Sequence, residues 1–381
     1  MVYIVSIEEK IKNLYEKNPQ ANIIVDKIHR YAEKLSGKGY NNIKIMNFCG
    51  THEWTITHYG LRSLMPDNVE LIAGPGCPVC ITPGYYVDLL IKLSMENYTV
   101  LSYGDSYKLP GTKLRGVRSL FDAKIRGWDT RIVYSFLDAI KTAHKNPDRK
   151  HVFFAVGFET TMPTTALPLY QGIVPKNLLI LSAYRLTPPI MKYLLDEKPE
   201  ARLDGIIAPG HVSAVIGSNA WSFLPRDYSI PTVVAGFEPI DVLLAILYIL
   251  KMIYEQKPML VNEYTRVVKP EGNTIAKKIM YSVYSVVDSY WRGIGVVKSS
   301  GAIHSEKYRE YDLFHNLGFE DKPVDDKLPG CKCPEVTLGL AKPTDCPLFM
   351  KRCTPNNPYG PCMVSVEGTC RIWAENLPVK L

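Results

Sequence analysis

The stretch "VELIAGPGCPVCITPGYYVDLLIKL", residues 69–93, contains the pattern that decides the fold. Its apolar beginning, Val69 to Ala73, predicts a β-strand, and "ITPGYYVDLLIKL" predicts a helix. A loop rich in Gly and Pro joins the two and carries Cys77 and Cys80. A strand followed by a helix is the repeating half of a βαβ unit. The Cys-x-x-Cys pair at this junction is a redox dithiol, half of a metal site, or a packing feature.

The same alternation of strand and helix continues over residues 41–300. The other β-type runs are "NIKIMNF", "YTVLSY", "TRIVYS", "HVFFAVG", "LLILSAY", "GIIAPG" and "PTVVAG". Amphipathic segments of helix length separate them, which predicts mostly parallel sheets covered by helices. Because about eight strands are many for one compact sheet, we predict an α/β fold with two doubly wound, Rossmann-like lobes.

These patterns also suggest domain limits. The break between the lobes is placed near residues 144–150, so that the first lobe spans residues 41–145 and the second spans residues 146–300. Residues 1–40 are predicted to be a helical segment that packs on the C-terminal region. Residues 301–381 form a third region, which is rich in cysteine and proline and lacks periodicity.

Composition excludes several classes of function. The formal charge of +7 is spread along the 381 residues without a Lys/Arg block, which argues against nucleic acid as a partner. The longest apolar stretch, Val242 to Leu250, is too short to span a bilayer. The N-terminal residues lack a signal-peptide pattern. We therefore expect a cytoplasmic protein with neither nucleic acid nor a membrane as a partner, in which nine cysteines suggest metal binding or catalysis.

Six of the nine cysteines lie within 40 residues of the C-terminal region, in a stretch with too little apolar mass to fold alone. They are Cys331, Cys333, Cys346, Cys353, Cys362 and Cys370. Zinc sites usually show paired, closely spaced cysteines, and here only one pair is close. The spacing therefore favours a [4Fe–4S] cluster, with zinc and disulfides as alternatives. Because a cubane takes four ligands, two cysteines are left over, either free or paired in a disulfide.

A second group of cysteines is predicted in the first lobe. The motif "NFCGTHEW" places Cys49 and His52 after one strand, and Cys77 and Cys80 follow the next. Parallel strands end at the same edge of a sheet, so the two loops should meet where ligands bind in doubly wound folds. Three thiolates would suit a soft transition metal. The alternatives are a buried, merely apolar Cys49 and a thioredoxin-type dithiol for the pair.

Polar residues in the same kind of loop are further candidates. His52 is interpreted as a general acid, a hydrogen-bonding support for a metal ligand, or a capping residue. Glu159 in "GFETT" and His211 in "PGHVS" also follow strands, in loops where functional residues are common. The alternative for Glu159 is a charge that complements a helix dipole in the first turn.

The motifs "CGTHE", "GPGCPVCITP", "GFETT" and "APGHVSAVIG", followed by the cysteine-rich tail, resemble the HypD family of hydrogenase maturation proteins in this order and over nearly the whole chain. The resemblance implies two α/β lobes and a third part that holds a [4Fe–4S] cluster. It also implies a scaffold that acts in a stable complex with HypC while the Fe(CN)2(CO) unit of [NiFe]-hydrogenase is assembled. HypE would be a transient cyanide donor that receives its carbamoyl group through HypF. HypC would connect the scaffold to the hydrogenase large subunit.

The resemblance also assigns residues. It implies iron at Cys49, Cys77 and Cys80, with His52 at the family's motif histidine. From its position after a strand, Glu159 is a further catalytic candidate. For the cluster we predict the ligands Cys331, Cys346, Cys353 and Cys370, with Cys333 and Cys362 as a candidate disulfide. The cluster region resembles that of ferredoxin:thioredoxin reductase, in which a cluster lies beside a redox-active disulfide.

The sequence thus predicts a redox-active maturation scaffold rather than a conventional turnover enzyme. A cluster-dependent thiol–disulfide oxidoreductase that acts on protein substrates is the main alternative. A nucleotide-binding α/β protein ranks last, because the sequence offers no Gly-rich phosphate loop of either usual form.

Overall fold

The computed structural model describes residues 19–113, 115–321 and 323–376. The first part of the predicted N-terminal helical segment, residues 1–18, lies outside them. The strands are β1 (Ile43–Asn47), β2 (Val69–Ala73), β3 (Thr99–Ser102), β4 (Thr130–Ile132), β5 (His151–Gly157), β6 (Leu178–Tyr184), β7 (Gly205–Pro209), β8 (Thr232–Ala235), β9 (Leu260–Asn262), β10 (Tyr284–Trp291) and β11 (Gly295–His304).

Helices alternate with these strands along most of the chain. They are α1 (Pro19–Ser36), α2 (Gly50–His58), α3 (Gly84–Met95), α4 (Gly104–Tyr107), α5 (Leu120–Ile125), α6 (Phe136–Lys145), α7 (Met162–Tyr170), α8 (Thr187–Glu197), α9 (Gly210–Ile216), α10 (Phe223–Tyr228), α11 (Pro239–Glu255), α12 (Thr274–Val283), α13 (Leu313–Leu317), α14 (Cys333–Thr337) and α15 (Thr369–Asn376). None of the described helices is both long and apolar enough to span a membrane.

Two parallel sheets form the body of the molecule, which confirms the predicted α/β class with two Rossmann-like lobes. The first sheet has the strand order β2-β1-β7-β8-β9, and the second has the order β4-β3-β5-β6. All neighbouring strands in both sheets are parallel. Every residue of β5 and β6 is buried, as expected for strands that helices cover on both faces.

The division of the chain between the sheets differs from the prediction. The first sheet combines β1 and β2 with β7, β8 and β9, and the four strands between them form the second sheet. The second lobe is therefore inserted into the first, and the predicted break near residues 144–150 falls inside the second sheet, between β4 and β5. Strand order depends on long-range pairing, here of Ile45 with Gly205, which a local pattern does not reveal.

The N-terminal helix packs on the first lobe. Helix α1 buries Ala21, Ile24, Ile28 and Leu35, a spacing that places them on one helical face. This face joins the apolar core between α11 and the first sheet. The described part of the segment therefore contacts α11 rather than the C-terminal region on which we expected it to pack.

The remaining chain connects the lobes. Strands β10 and β11 form an antiparallel hairpin beside β6 and α8, and the predicted boundary at residues 300/301 falls within β11. The tail that follows is loop-rich and ends in α15, which packs on α2. There the indole Nε1 of Trp373 donates to Glu53 Oε1 at 2.6 Å. The end of the described chain therefore lies against the helix that begins just after Cys49.

Candidate metal and thiol site

The loops that follow β1 and β2 touch through their backbones. The Gly50 N–H donates to the Gly76 carbonyl at 3.3 Å, and the Gly74 N–H donates to the Asn47 carbonyl at 2.7 Å. A Cβ atom at Gly76 would lie 2.6 Å from the carbonyl carbon of Cys49, so a side chain there would push the loops apart. The glycine thus allows Cys49 to lie beside the loop that carries Cys77 and Cys80, as the positions of the strand ends predict.

Cys77 and Cys80 form a disulfide, with their Cα atoms 5.4 Å apart. Both residues are buried, and the Cys80 N–H donates to the Cys77 sulfur at 3.1 Å. In this state neither sulfur is a thiolate. Binding of a metal by the pair therefore requires that two electrons first break the S–S bond.

Cys49 stands immediately before α2 and is a free, buried thiol. Burial, and then the nearby charge of Glu367, raise the pKa of Cys49 to about 11. The backbone N–H groups of His52 and Thr51 act in the opposite direction. Cys49 is therefore protonated at neutral pH, and a bound cation would be needed to stabilise its thiolate.

His52 is a neutral, oriented imidazole. Its Nε2 lies 2.8 Å from the Gly236 carbonyl, which can only accept, so Nε2 carries the proton. The ring stacks on Phe237 with centroids 4.7 Å apart, and burial lowers the pKa of His52 to about 4. Nδ1 is therefore an unprotonated, buried nitrogen, and it has no hydrogen-bond partner in the described part of the chain. This state favours a role as a base or a supporting ligand over one as a general acid at neutral pH.

The other two polar candidates occupy different settings. His211 stacks on Phe237, the ring that also contacts His52, with centroids 3.9 Å apart. Glu159 accepts hydrogen bonds from the N–H of Thr187 at 2.7 Å and from its hydroxyl, and so caps α8. The structure therefore places Glu159 at the start of another helix rather than in the first turn of its own. Burial raises the pKa of Glu159 to about 7.

The sulfur atoms of the tail converge in a buried cluster. Those of Cys333, Cys362 and Cys370 lie within 4.8 Å of one another, and the Cys331 sulfur is 3.2 Å from that of Cys333. Hydrogen bonds from Cys333 and Cys370 hold the pKa of Cys362 well below its usual range. A Cβ atom at Gly360 would lie 2.7 Å from the sulfurs of both Cys331 and Cys333, so the glycine makes room for them.

The remaining two tail cysteines border this cluster. Cys346 Sγ lies 4.0 Å from the carbonyl oxygen of Gly330, next to Cys331, and Cys353 Sγ accepts from the Tyr359 N–H at 3.3 Å. All six tail cysteines are buried and free, so the candidate disulfide between Cys333 and Cys362 is not formed. The closest sulfurs include Cys333 and Cys362, which are outside the predicted ligand set. A buried group of soft sulfur donors fits the chemistry of an iron–sulfur cluster.

The disulfide and the tail cluster border one small cavity of about 10 Å³, which Cys80, Cys331 and Cys333 line. Arg292 also lines it, as a fully buried guanidinium whose Nη2 donates to the Gly111 carbonyl at 3.2 Å. Burial lowers the pKa of Arg292, and the charges of Asp326, Cys333 and Cys331 oppose this. The disulfide of the first lobe and the tail cluster are therefore neighbours across a small space with a buried cation.

Known proteins are similar to this chain over nearly its whole length. The HypD family model, described as "Hydrogenase formation hypA family", matches residues 20–376. This chain belongs to the HypD family. It is similar to a putative hydrogenase expression/formation protein of Methanocaldococcus jannaschii, with 46% identity over 92% of this chain and 95% of that protein. It is also similar to the hydrogenase maturation factors HypD of Escherichia coli (39%, covering 94% of this chain and 96% of that one) and Cupriavidus necator (40%, covering 90% and 91%).

One residue of this HypD-family chain that the sequence analysis overlooked is the last of the "CGTHE" motif. Glu53 is buried and accepts from Asn47, Thr57, Arg62 and Trp373. A buried carboxylate with this many donors is a structural anchor. It ties α2 to the tail helix α15. In the sequence, the one sign of this role was a glutamate in the first turn of a helix that follows a predicted strand.

Glu367 is a second overlooked residue, and it belongs to the tail. A Cβ atom at Gly50 would lie 2.6 Å from Glu367 Cβ, so the tail passes directly over the start of α2. Burial, and then the charge of Asp105, raise the pKa of Glu367 to about 7. Ser365 in the same turn donates to Asp105 Oδ2 at 3.2 Å. The tail thus places a carboxyl group between Cys49 and the second lobe, which no local sequence pattern predicts.

Proposed function

We propose that this chain acts in hydrogenase maturation as the scaffold on which the Fe(CN)2(CO) unit is built, with iron held by Cys49, Cys77 and Cys80. The observation that carries the proposal is the backbone contact between Gly50 and Gly76, which supports bringing a lone thiol and a thiol pair together in one buried place. His52 adds an unprotonated nitrogen one helical turn from Cys49. Soft donors in a buried pocket suit low-spin iron with strong-field ligands.

We propose that the tail binds a [4Fe–4S] cluster through Cys331, Cys346, Cys353 and Cys370. Such a cluster supplies electrons one at a time. Opening the Cys77–Cys80 bond takes two electrons and yields two thiolates, so two such transfers from a cellular one-electron donor are needed. The shared cavity supports this route, because Cys80 faces the tail sulfurs there. Reduction of the pair would then make the iron site available.

The proposed partners follow from the family. HypC would form the stable complex, HypE would be the transient source of cyanide, and the hydrogenase large subunit would be reached through HypC. All of these steps would take place in the cytoplasm. The buried state of Cys49 supports a protein partner that closes the site, because a site of this kind must exclude water and oxygen.

A second function, a cluster-dependent thiol–disulfide oxidoreductase, has one observation in its favour, the disulfide beside the tail thiols. In that case Cys77 attacks a substrate disulfide and Cys80 resolves the mixed disulfide. Loss of Cys80 would then trap a covalent adduct with a protein substrate, whereas loss of an iron ligand would not.

The test is to purify the chain with tagged HypC from anaerobic cells and to record infrared and Mössbauer spectra. We expect bands of metal-bound CN and CO in the wild-type complex and none in Cys80→Ala. Non-reducing gels of the same samples check for a trapped adduct. A Cys80→Ala complex that forms such an adduct and keeps both bands would overturn the assignment of Cys80 as an iron ligand.

The cluster has a separate test. Replacing Cys346 or Cys353 by Ala should abolish an oxygen-sensitive absorbance near ~400 nm, while Cys49→Ala should leave it unchanged. Stoichiometric zinc in a colourless protein prepared under strict anaerobiosis would contradict the cluster.

A further inference from the structure

A second cavity, of about 310 Å³, lies apart from the thiol groups, between the edge strand β6, the hairpin β10–β11 and residues 309–321. Its size is that of a small-molecule site. Two of the side chains that line it, Arg185 and His304, are 2% and 5% exposed. The proposed function uses neither residue.

Arg185 is a buried cation with unused donors. Its Nε and Nη2 donate to the Tyr290 carbonyl at 3.2 and 2.8 Å, and its Nη1 donates to the Tyr184 carbonyl at 2.9 Å. A guanidinium has five N–H groups, and these contacts use three of them. The Tyr86 hydroxyl also interacts with Arg185, so at least one N–H remains from which a carboxylate or phosphate can accept. No carboxylate of the described residues forms an ion pair with Arg185. Because burying an unpaired charge is costly, the cavity favours an anion.

His304 supplies the complementary group. Its Nδ1 lies 3.0 Å from Asp312 Oδ2, so Nδ1–H donates and the ring is held in one orientation. In the neutral ring Nε2 is then an acceptor, and it is buried without a hydrogen-bond partner in the part of the chain that the structure describes. The cavity thus presents donors at Arg185 and an unsatisfied acceptor at His304.

The other charged groups that line the cavity are already engaged. Asp312 also accepts from the N–H of His315 at 3.0 Å. Asp321 accepts from the hydroxyls of Tyr85 and Tyr86 at 2.8 and 2.6 Å. At the rim, Arg309 is paired with Glu306 at 3.0 Å. These contacts leave Arg185 and His304 as the groups available to a ligand.

We propose that this cavity binds a small oxyanion that also carries a hydrogen-bond donor, either a 2-hydroxycarboxylate or a hydrogen phosphate. The oxyanion accepts from Arg185, and its O–H donates to His304 Nε2. No covalent step or net proton transfer is involved. A carboxylate without a hydroxyl group can bind Arg185 but cannot donate to His304. The hydroxyl group of the ligand therefore determines which carboxylates bind tightly.

The experiment titrates the full-length chain with glycolate, acetate and inorganic phosphate in a calorimeter. Glycolate and acetate differ by the hydroxyl group, and we expect glycolate to bind about 10-fold more tightly, the effect of one buried hydrogen bond. Competition between glycolate and phosphate shows that they share a site, and the tighter of the two identifies the source of the oxyanion. Equal affinity for glycolate and acetate would overturn the proposal.

The matched variants are His304→Asn, His304→Gln and Arg309→Gln. An Asn amide keeps a donor to Asp312 but has no atom at Nε2, so His304→Asn should lower glycolate affinity about 10-fold, to that of acetate. Gln has no donor at the Nδ1 position but carries a polar group near Nε2, and should retain part of the affinity. Arg309→Gln, at the rim, should change affinity less than about twofold.

Thermal denaturation verifies that each variant is folded. A folded His304→Asn that keeps the preference for glycolate would overturn the proposal. So would the absence of saturable binding of both glycolate and phosphate at about 10 mM, a weak affinity for so small a ligand, since the cavity would then hold water only.

Discussion

The two lobes share the same order over four strands, to which the first sheet adds β9, but they carry different residues at the point where that order reverses. In each sheet the chain begins at an inner strand, adds one strand on one side, and then crosses to the other side. The crevice between the inner strands is the usual ligand site of such sheets. At that crevice the first lobe presents Cys49 and His211, and the second presents Asp105 and Glu159. Each sheet therefore provides one such crevice, and the residue types at its edge decide whether a soft metal can bind there.

The carboxylates of the second lobe are bound to other parts of the molecule. Glu159 caps α8 through Thr187, and Asp105 receives a hydrogen bond from Ser365 of the tail. In the first lobe, Cys49 is a free thiol, and Cys77 and Cys80 are bonded to each other. This contrast indicates that the carboxylates of the second lobe hold helices and the tail in place, whereas the candidate metal ligands are in the first lobe.

The largest expected effect compares Cys49→Ser with Glu159→Gln in hydrogenase maturation. A serine hydroxyl does not ionise at neutral pH and is a poor donor to soft iron, so Cys49→Ser should reduce matured hydrogenase by at least ~100-fold. Glu159→Gln keeps an oxygen acceptor for Thr187, and we expect activity within about twofold of wild type. Hydrogenase activity and iron content of anaerobically grown cells provide the measurement. An equally large loss in Glu159→Gln would instead establish Glu159 as catalytic.

A second comparison places a methyl group at one glycine in each lobe. In Gly76→Ala the new Cβ meets the Cys49 backbone at 2.6 Å, whereas in Gly104→Ala of the second lobe its nearest contact is Ile132 Cγ2 at 3.9 Å. The first contact forces the two loops apart, and the second is an ordinary van der Waals distance. We expect Gly76→Ala to lower the free energy of unfolding by about 3 kcal/mol and Gly104→Ala to change it by less than about 1 kcal/mol. Urea denaturation measures both, and equal losses would show that the contact between the two loops is not rigid.

The pH dependence of stability tests the buried carboxyl of the second lobe. The pKa of Glu159 is raised from 4.5 to about 7 in the folded protein, so the folded state binds the proton more tightly than the unfolded state. Its stabilising contribution is present below pH 4.5 and is lost as the pH rises through 7. Relative to Glu159→Gln, the wild-type free energy of unfolding should fall by on the order of 2 kcal/mol between pH 5 and 8. A difference that does not change with pH would mean that Glu159 titrates normally.

The smallest effect concerns the attachment of the tail to the first lobe. Trp373→Phe removes the donor to Glu53 but leaves Arg62 bound to the same carboxylate. We expect a loss of about 1.5 kcal/mol and faster amide exchange confined to residues 365–376. Trp221→Phe is the matched control, because its indole donates to the Ser213 hydroxyl, away from the tail. Faster exchange in the tail of that control would contradict a local role for the Glu53 bond.

Local patterns predicted β1 to β8, the alternating helices and the meeting of two loops, because each depends on residues close in the chain. They missed β9 and the antiparallel hairpin β10–β11. Cys49 and Cys77 could be placed together since both follow strands that run in the same direction. The insertion of one lobe into the other was not predictable, because the pairing of β1 with β7 depends on residues far apart in sequence. For the same reason Glu367 and Arg292 were overlooked, since each reaches the site from a distant segment.

The insertion has a consequence for synthesis on the ribosome. Strand β1 pairs on one side with β2 and on the other with β7, which begins at Gly205. The four strands of the second sheet are made in the interval, and they can assemble while β1 still has a free edge. Translation adds on the order of 5–20 residues per second, so that edge stays open for seconds. The nascent chain therefore passes through a stage in which the strands of the second sheet can pair while β1, the strand just before Cys49, is open to aggregation and to chaperones.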